Sequence, residues 1–532
     1  MARFAALDLG TNALRLRIVE AHSSSRDREQ LLLLPESGTG FREITSLRAP
    51  VRLGSEVFVT GQLASSSIGQ ACSALREFRA AMDSAKVDAY RATATSAVRE
   101  ASNGPTLVER ARREAGIDLE IIEGVEEARL IQLAVVRRLG LTDRHALLVD
   151  VGGGSTELTY LDRGINAFSI SLPVGTVRLL ETYLCDARTV DSGRQQLLFE
   201  GIGRVLAEAA PQLKKAPFEV VIGTGGSVDT IVELCPMKGG YAGFPHAVDV
   251  AEMRAMLGEL FDMTLDERRE RYGFKPDRAD TIVTAASIFL RVAELFDANA
   301  IVAPGVGLKE GILEELVDKY FDRWDEESET RTVIDGCVRL GLRFGFDRAH
   351  GELVATLAAQ LFDDLTSLHR LGERERLLLR ASALLHDIGD YVRYDGHHKH
   401  SYYLISHSDL MGLTPAERAI VANTARYHRK SFPDPSHANF RDLDKDARAK
   451  VRSLAAILRI ADALDREHLG KVTSLRAEVD AAKRRIVLHV HGEDHRELEE
   501  WSVRAKSDLF RDVFDLDVHI AGSTRTSLRS SR

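Results

Sequence analysis

The strongest constraint on the fold is a pattern that the chain uses twice. Residues 147–160 read Leu147-Leu148-Val149-Asp150-Val151-Gly152-Gly153-Gly154-Ser155-Thr156-Glu157-Leu158-Thr159-Tyr160. An apolar run ends in an acid, three glycines follow, and an alternating run leaves, which is the pattern of strand, tight turn and strand. Near the N-terminus, Phe4-Ala5-Ala6-Leu7-Asp8-Leu9-Gly10-Thr11-Asn12-Ala13-Leu14-Arg15-Leu16 reads the same way. The step from Asp8 to Asp150 equals the step from Gly10 to Gly152. Unrelated hairpins have no reason to keep one register, so the repeat predicts a duplicated α/β body with its ligand in the cleft between the halves.

The chemistry of these loops suits a phosphate chain. Consecutive glycines let backbone N–H groups approach an anion without an intervening Cβ. Asp150, at a strand end, can hold a hard cation, and Ser155 and Glu157 share one face of the outgoing strand. A third loop, Val220-Val221-Ile222-Gly223-Thr224-Gly225-Gly226-Ser227-Val228-Asp229, follows another strand and opens a helix over Val228–Leu234, whose N-terminus favours an anion. The run Val87 to Val98 reads as a strand ending in a small-residue loop, which leaves Arg99 available to phosphate oxygens. In Leu119 to Leu133 a strand breaks at Gly124 and an amphipathic helix begins with Glu126 and Glu127 in its first turn. A carboxylate there can accept a proton from attacking water; the spacing does not choose between the two.

Elsewhere the periodicity predicts helices over Gly61 to Ser84, Thr281 to Phe296 and Leu308 to Tyr320, and a polar connector over Ser23 to Gln30. The acidic run Asp322 to Glu329 marks a boundary. Beyond it His350, the pair His386-Asp387 and Asp462 fall in helical stretches, with His400 and His428 placed to extend a metal site. From Lys471 the pattern changes to two alternating strands, Val472 to Val479 and Arg485 to His491, a helix from Glu497 to Phe514 and a last strand, Leu516 to Ile520. The Ser/Thr/Arg-rich tail reads as disordered. The expected division is therefore 1–127, 128–320, 330–468 and 471–521, with 522–532 as the tail.

With 532 residues, 44% of them hydrophobic and 28% charged, the chain has the composition of a soluble multidomain protein. No apolar run is long enough to span a bilayer and the start shows no signal-peptide pattern, so neither membrane insertion nor secretion is expected. Cys72, Cys185, Cys235 and Cys337 are scattered without a C-x-x-C motif, which fits a reducing cytoplasm. A net charge of −9 argues against nucleic acid as a partner. Local basic stretches remain, Arg426 to Lys430, His397 to His400 and Lys483 to Arg485, each able to guide a polyanion or simply to face solvent. No P-loop pattern occurs.

Taken together, Asp8-Leu9-Gly10-Thr11-Asn12, Thr93-Ala94-Thr95-Ser96-Ala97-Val98-Arg99, Glu126-Glu127-Ala128-Arg129-Leu130-Ile131, Asp150 to Leu158, Gly223 to Ser227 and Leu308-Lys309-Glu310-Gly311 resemble the exopolyphosphatase / guanosine pentaphosphate phosphohydrolase family. The resemblance implies an actin/hexokinase-like (ribonuclease H-like) duplicated body, Mg²⁺, and cleavage of terminal phosphate from inorganic polyphosphate or from guanosine pentaphosphate. By position it makes Glu127 the catalytic base and Asp150 and Glu157 the metal residues. Asp8, Thr11, Asn12, Arg99, Gly153, Gly154, Ser155, Gly225, Gly226 and Ser227 would surround the phosphates. Ala13 stands where the family usually has Ser or Asn, and Ser227 where Thr is commoner. The order His350, His386-Asp387, Asp462 resembles the metal-dependent phosphohydrolases named for their His-Asp (HD) pair, which implies an all-helical domain that either holds a second metal or is kept as a scaffold helping to bind the polyanion, with a nucleotide phosphohydrolase activity of its own as a further reading. Polyphosphate is the first expected substrate and the pentaphosphate the second, with an alarmone or polyphosphate sensor of slow turnover as the third reading. Long chains are expected to run past the basic stretches 397–400 and 426–430. A homodimer follows from the resemblance alone.

Overall fold

The computed structural model describes residues 1–21, 41–184, 189–213, 217–321, 326–408, 410–493 and 495–521. The connector at 23–30, Cys185, residues 322–325 and the tail from 522 lie outside them. The chain divides into two compact units, Met1–Trp324 and Asp325–Arg532.

The first unit holds two sheets of one topology. In the first, β1 (Ala2–Leu9), β2 (Leu14–Ala21), β3 (Arg42–Ala49), β4 (Ala89–Ala94) and β5 (Leu119–Ile121) run in the order β3-β2-β1-β4-β5. In the second, β6 (His145–Val151), β7 (Thr156–Asp162), β8 (Ile165–Leu172), β9 (Val220–Thr224), β10 (Ala247–Asp249) and β11 (Ala300–Val302) run β10-β11-β9-β6-β7-β8. In each, the central strand pairs antiparallel with its hairpin partner on one side and parallel with a later strand on the other. Asp8 faces Arg15 across its hairpin and Thr93 on the parallel side; Asp150 faces Glu157 and Thr224. The duplication expected from the two loops is thus present strand for strand, with β10 as an addition.

The halves are joined by packing. The helix Gly124–Leu139 follows β5 and the helix Leu308–Tyr320 follows β11. Leu130, Ile131, Ile312 and Leu313 from these helices share one apolar cluster with Phe4 and Ala6 of β1 and Leu148 and Ile222 of the second sheet. Gly311 sits where the helices cross: a Cβ there would lie 2.0 Å from the Leu130 carbonyl oxygen. That contact accounts for the glycine of Leu308-Lys309-Glu310-Gly311. A boundary at residue 127 falls inside the first of these helices, so the division between halves passes along a helix and not through a loop.

The helix expected over Gly61 to Ser84 runs Ser65–Ala85; Gly61 (φ 73°) instead takes the left-handed conformation that closes a separate short helix before it, Gly54–Thr60.

The second unit is helical, with a three-stranded sheet at its C-terminal end. Its helices include Arg348–Asp364, Glu373–Leu385, His397–Ser406, Pro415–Arg426 and Lys445–Ala463. Strands β12 (Val472–Asp480), β13 (Arg485–Gly492) and β14 (Asp517–Ile520) form the sheet in that order. The sheet is not separately cored. Leu475, Ile486, Leu488 and Phe510 belong to the same apolar cluster as Leu361, Leu384 and Leu458. The exposed backbone edge of β12 is also satisfied from the helices: Leu475 N–H donates to Gln360 Oε1 and Ala477 N–H to Asp364 Oδ2, at 2.8 and 2.6 Å. The run Glu497 to Phe514 breaks at Ser507 into Glu497–Lys506 and Asp508–Phe514. Among the described residues no helix is long and apolar enough to cross a membrane.

Candidate functional site

The loops after β1, β6 and β9 converge. An added Cβ on Gly153 would lie 2.6 Å from Thr11 Cβ, and one on Gly154 would lie 2.2 Å from Ser96 Oγ, so the two halves touch through glycine backbone. Gly225 (φ 99°) bends under β6, where a Cβ would lie 2.4 Å from the Val151 carbonyl oxygen. Beside Gly226 stand Arg15, which reaches Asp8 Oδ2 at 3.4 Å, and Arg278, which donates to Ser227 Oγ at 2.5 Å. Asn12 is engaged across the cleft, donating to the Asp277 carbonyl oxygen and accepting from Arg52. Arg52 pairs in turn with Asp280 at 2.6 Å, and Arg48 with Asp277.

Under these loops lie three acids. Glu127, Asp150 and Glu157 are buried, and each offers one carboxylate oxygen within 4.8 Å of the other two. The strand pairing places Asp150 opposite Glu157, and the first turn of Gly124–Leu139 swings Glu127 in. Its neighbour Glu126 turns the other way, into an ion-pair network with Arg129 (2.7 Å), Arg91 (3.2 Å) and the deeply buried Glu315. The helix thus separates the two acids: Glu126 is tied into ion pairs and Glu127 faces Asp150 and Glu157. Thr224 donates to Asp150 Oδ1 at 2.6 Å and Ser171 to Glu157 Oε1 at 2.7 Å. Gly124 leaves room for Ser171, which a Cβ would meet at 2.7 Å.

The second oxygens of Glu127 and Glu157 are buried and accept no hydrogen bond. Arg99 is the nearest cation to Glu127, 3.8 Å from Oε2, and it donates instead to the Ile122 carbonyl oxygen at 2.8 Å. Burial, with Glu157 and Asp150 adding to it against Arg99, pushes Glu127 well above the usual carboxylate range. Burial and the Asp150 charge take Glu157 to about 7 despite Ser171, and burial takes Asp150 to about 6 despite Thr224. Two orphaned oxygens among three uncompensated acids fit a hard divalent cation. Asp150 and Glu157 would be its principal holders, with Glu127 within reach.

The sequence pattern of the Ppx/GppA phosphatase family matches residues 35–320, more than half of the chain, and its domain III pattern matches residues 333–507. The chain belongs to the Ppx/GppA phosphatase family. It is an enzyme of the phosphoanhydride-hydrolysing class. It is 26% identical over 432 residues to the guanosine-5'-triphosphate,3'-diphosphate pyrophosphatase of Vibrio vulnificus (strain YJ016), covering 81% of each chain. Against the protein of that name from Aeromonas hydrophila it is 25% identical over 462 residues, 86% of each. Among solved structures, an exopolyphosphatase from Cytophaga hutchinsonii superposes with a TM-score of 0.53 at 25% identity, over 60% of this chain and 98% of that one. An exopolyphosphatase-like protein gives 0.51 at 26%, over 59% and 97%.

The Ppx/GppA second unit carries a cluster of its own. His350, His386 and Asp462 are buried together, each offering a ligand atom within 4.8 Å of the others. Asp387 Oδ2 lies 3.3 Å from His386 Nε2 and 3.9 Å from His350 Nε2. All four residues expected from the His-Asp pattern thus converge. Of the two proposed extensions, His428 joins and His400 does not; His397 joins in its place. In the stretch 397–400 the helix His397–Ser406 turns His397 and His398 inward, while Lys399 is exposed and His400 half-buried.

Sequence reading missed Arg15, Thr224, Ser171 and Arg278. The first two were recoverable from the duplicated register, which sets Arg15 opposite Asp8 and Thr224 beside Asp150. Ser171 and Arg278 arrive from β8 and from a short helix far away in sequence, and no local pattern marks them.

Proposed function

We propose that the chain is an exopolyphosphatase, releasing orthophosphate from the end of inorganic polyphosphate at the cleft between its two sheets. The observation that carries this reading is Glu127, a buried carboxylate with a free oxygen, set beside Asp150 and Glu157 under three glycine loops. In this reading Glu127 Oε2 takes the proton of a water whose oxygen attacks the terminal phosphorus, and the P–O bond to the penultimate phosphate breaks. A carboxylate held above its usual range is a better base at neutral pH than an exposed one. Backbone N–H groups of Gly153, Gly154, Gly225 and Gly226, with Thr11, Ser155 and Ser227, surround the phosphates, and Asp8 and Arg99 stand beside the buried acids. Bound Mg²⁺ on Asp150 and Glu157 would supply charge neutralisation to the transferred group. Arg278, which meets the Ser227 hydroxyl, offers positive charge to a polyanion, while Arg15, Arg48 and Arg52 are already paired with Asp8, Asp277 and Asp280.

A second reading makes guanosine pentaphosphate the preferred substrate, and the names of the curated relatives favour it. The body is read as actin-like and the second unit as His-Asp-like. The same reading places the enzyme in the cytoplasm, where the buried free thiols Cys72, Cys235 and Cys337 remain reduced; the homodimer is taken from the family resemblance.

The test is orthophosphate release with Mg²⁺ from long-chain polyphosphate and from guanosine pentaphosphate at matched concentrations. Faster release from polyphosphate is expected. Release from the pentaphosphate alone would exchange the two readings, and silence on both would leave the sensor.

A further inference from the structure

Residues 175–178, which follow β8, meet every carbonyl of the glycine run 152–154. Thr176 N–H donates to the Gly152 oxygen at 3.0 Å, and the N–H groups of Val177 and Arg178 donate to that of Gly153 at 2.8 and 3.0 Å. The Gly154 oxygen accepts from a side chain instead, Arg178 Nε, at 2.7 Å. Gly175 permits the close approach, since a Cβ there would lie 2.5 Å from the Gly154 nitrogen.

In a planar trans peptide the N–H points opposite to the C=O. Fixing these three carbonyls therefore turns the N–H groups of Gly153, Gly154 and Ser155 the other way. Among the described residues no backbone carbonyl accepts from any of the three. Successive amides presented in this manner suit an anion.

The same guanidinium also reaches the first half. Arg178 Nη2 donates to both carboxylate oxygens of Glu100 at 2.6 Å, and its Cζ lies 4.0 Å from the centre of the Phe58 ring. Ser96 Oγ donates to Glu100 Oε1 at 2.9 Å. Glu100 is the last residue of the helix Ser96–Glu100, and the residue before it is Arg99, the cation nearest to Glu127. Arg178 thus links the loop that presents amides to the helix that presents Arg99. Its charge is met by Glu100 and its Nε is spent on Gly154, so it orients other groups and is not itself a phosphate ligand.

We propose that Arg178 is a positioning residue of the cleft. It holds the Gly154–Ser155 peptide with its N–H turned toward bound phosphate, and it keeps the Arg99 helix in step with that loop. Consecutive glycines are freer than other residues to turn their peptides over, so the bond to the last carbonyl supplies an order that the loop lacks by itself. The inference rests on the reading of the cleft as the phosphate site, and it is the same for polyphosphate and for guanosine pentaphosphate.

The test measures binding of inorganic phosphate to the full chain in excess Mg²⁺ by equilibrium dialysis. Arg178→Ala should raise the Kd about 10-fold, the effect of losing one charge-assisted hydrogen bond. Ethylguanidinium, which replaces the missing fork, should restore binding, and ethylammonium, a point charge, should not. A side chain needed only for stability would lower the melting temperature and show no such selective rescue. An unchanged Kd, or a loss that ethylguanidinium does not reverse, would overturn the proposal. Arg278→Ala, at the third glycine loop, separates this inference from the reading of the cleft. If it weakens phosphate binding and Arg178→Ala does not, Arg178 alone is misassigned. If neither does, or the wild type binds none, the cleft reading fails and this inference with it. Should Arg178→Ala fail to fold, Glu100→Gln decides: loss of the guanidinium's anchor should weaken phosphate about 3-fold, and unchanged binding would overturn the proposal.

Discussion

Burial takes Asp150 to about 6 and Glu157 to about 7, yet it fails to raise Asp387 and Asp462 in the second unit. There the burial cost is overcome by charge. His386 holds Asp387 well below the usual range, and Lys506 followed by His386 does the same for Asp462. His386 itself, which burial would lower, is lifted well above its ordinary value by the same two acids. The cleft acids have no such partners: hydroxyls reach two of them and Arg99 stays at the distance of a weak pair. A cluster that neutralises itself is stable while empty. One that does not is poised to take a hard cation from outside, which is the behaviour expected of a site that must also admit a polyanion.

The largest expected effect separates two neighbouring residues. Glu127→Gln keeps size and hydrogen-bonding capacity but removes the proposed base, and kcat for phosphate release should fall by about 10³-fold with KM within a few-fold. Glu126→Gln should leave kcat within a few-fold and instead cost about 1–3 kcal/mol of stability, seen as a lower urea midpoint, because it breaks the pairs to Arg129 and Arg91. If Glu126→Gln silences the enzyme while Glu127→Gln spares it, the assignment of base and brace is reversed.

The next effect tests whether each cluster has its own metal. Ser171→Ala removes the hydroxyl that orients Glu157, and the Mg²⁺ needed for half-maximal release should rise by about 10-fold. Asp465→Asn removes the carboxylate that orients His350 and should weaken Mn²⁺ retention by about as much. Each substitution should leave the other cluster's ion unmoved. A Ser171→Ala enzyme with unchanged Mg²⁺ dependence would remove Glu157 from the metal site.

How much of this was legible in the sequence follows from how each residue is delivered. Asp8, Asp150, Glu157 and the glycines sit on hairpins whose register is written in period-two alternation, so strands, loops and their pairing were all readable. Val228–Leu234 and Leu308–Tyr320 were readable for the same reason, with clean helical periodicity between breakers. The choice between Glu126 and Glu127 was legible only through the family resemblance, because both lie in one helical turn and the packing of that helix against β7 and β8 decides which faces the acids. The C-terminal strands look independent in sequence, since alternation says which face is apolar but not what covers it. His397 was hidden by its neighbours: in a run of three histidines and a lysine, charge suggests a surface, and only the contact with His428 and Asp387 shows otherwise.

The smallest expected effect uses pH to set the units against each other in chelated protein. Asp150 and Glu157 have folded values above their ordinary ones, so the stability they contribute is present below about pH 4 and is lost as pH rises through about 6 and about 7. His428 is held well below its ordinary 6.5, first by burial, and burial takes His398 to about 4. Their contribution runs the opposite way, present above 6.5 and lost as pH falls. Between about pH 4.5 and 6.5 the melting temperature of the first unit should therefore decline while that of the second rises, by a few degrees each for units of this size. Excess Mg²⁺ should abolish the first slope, because an ion bound to the carboxylates replaces the protons they otherwise hold, and it should leave the second untouched. Parallel slopes, or a Mg²⁺ effect on the second unit, would mean that the histidine cluster is not self-neutralised, and the contrast between the two centres would fall with it.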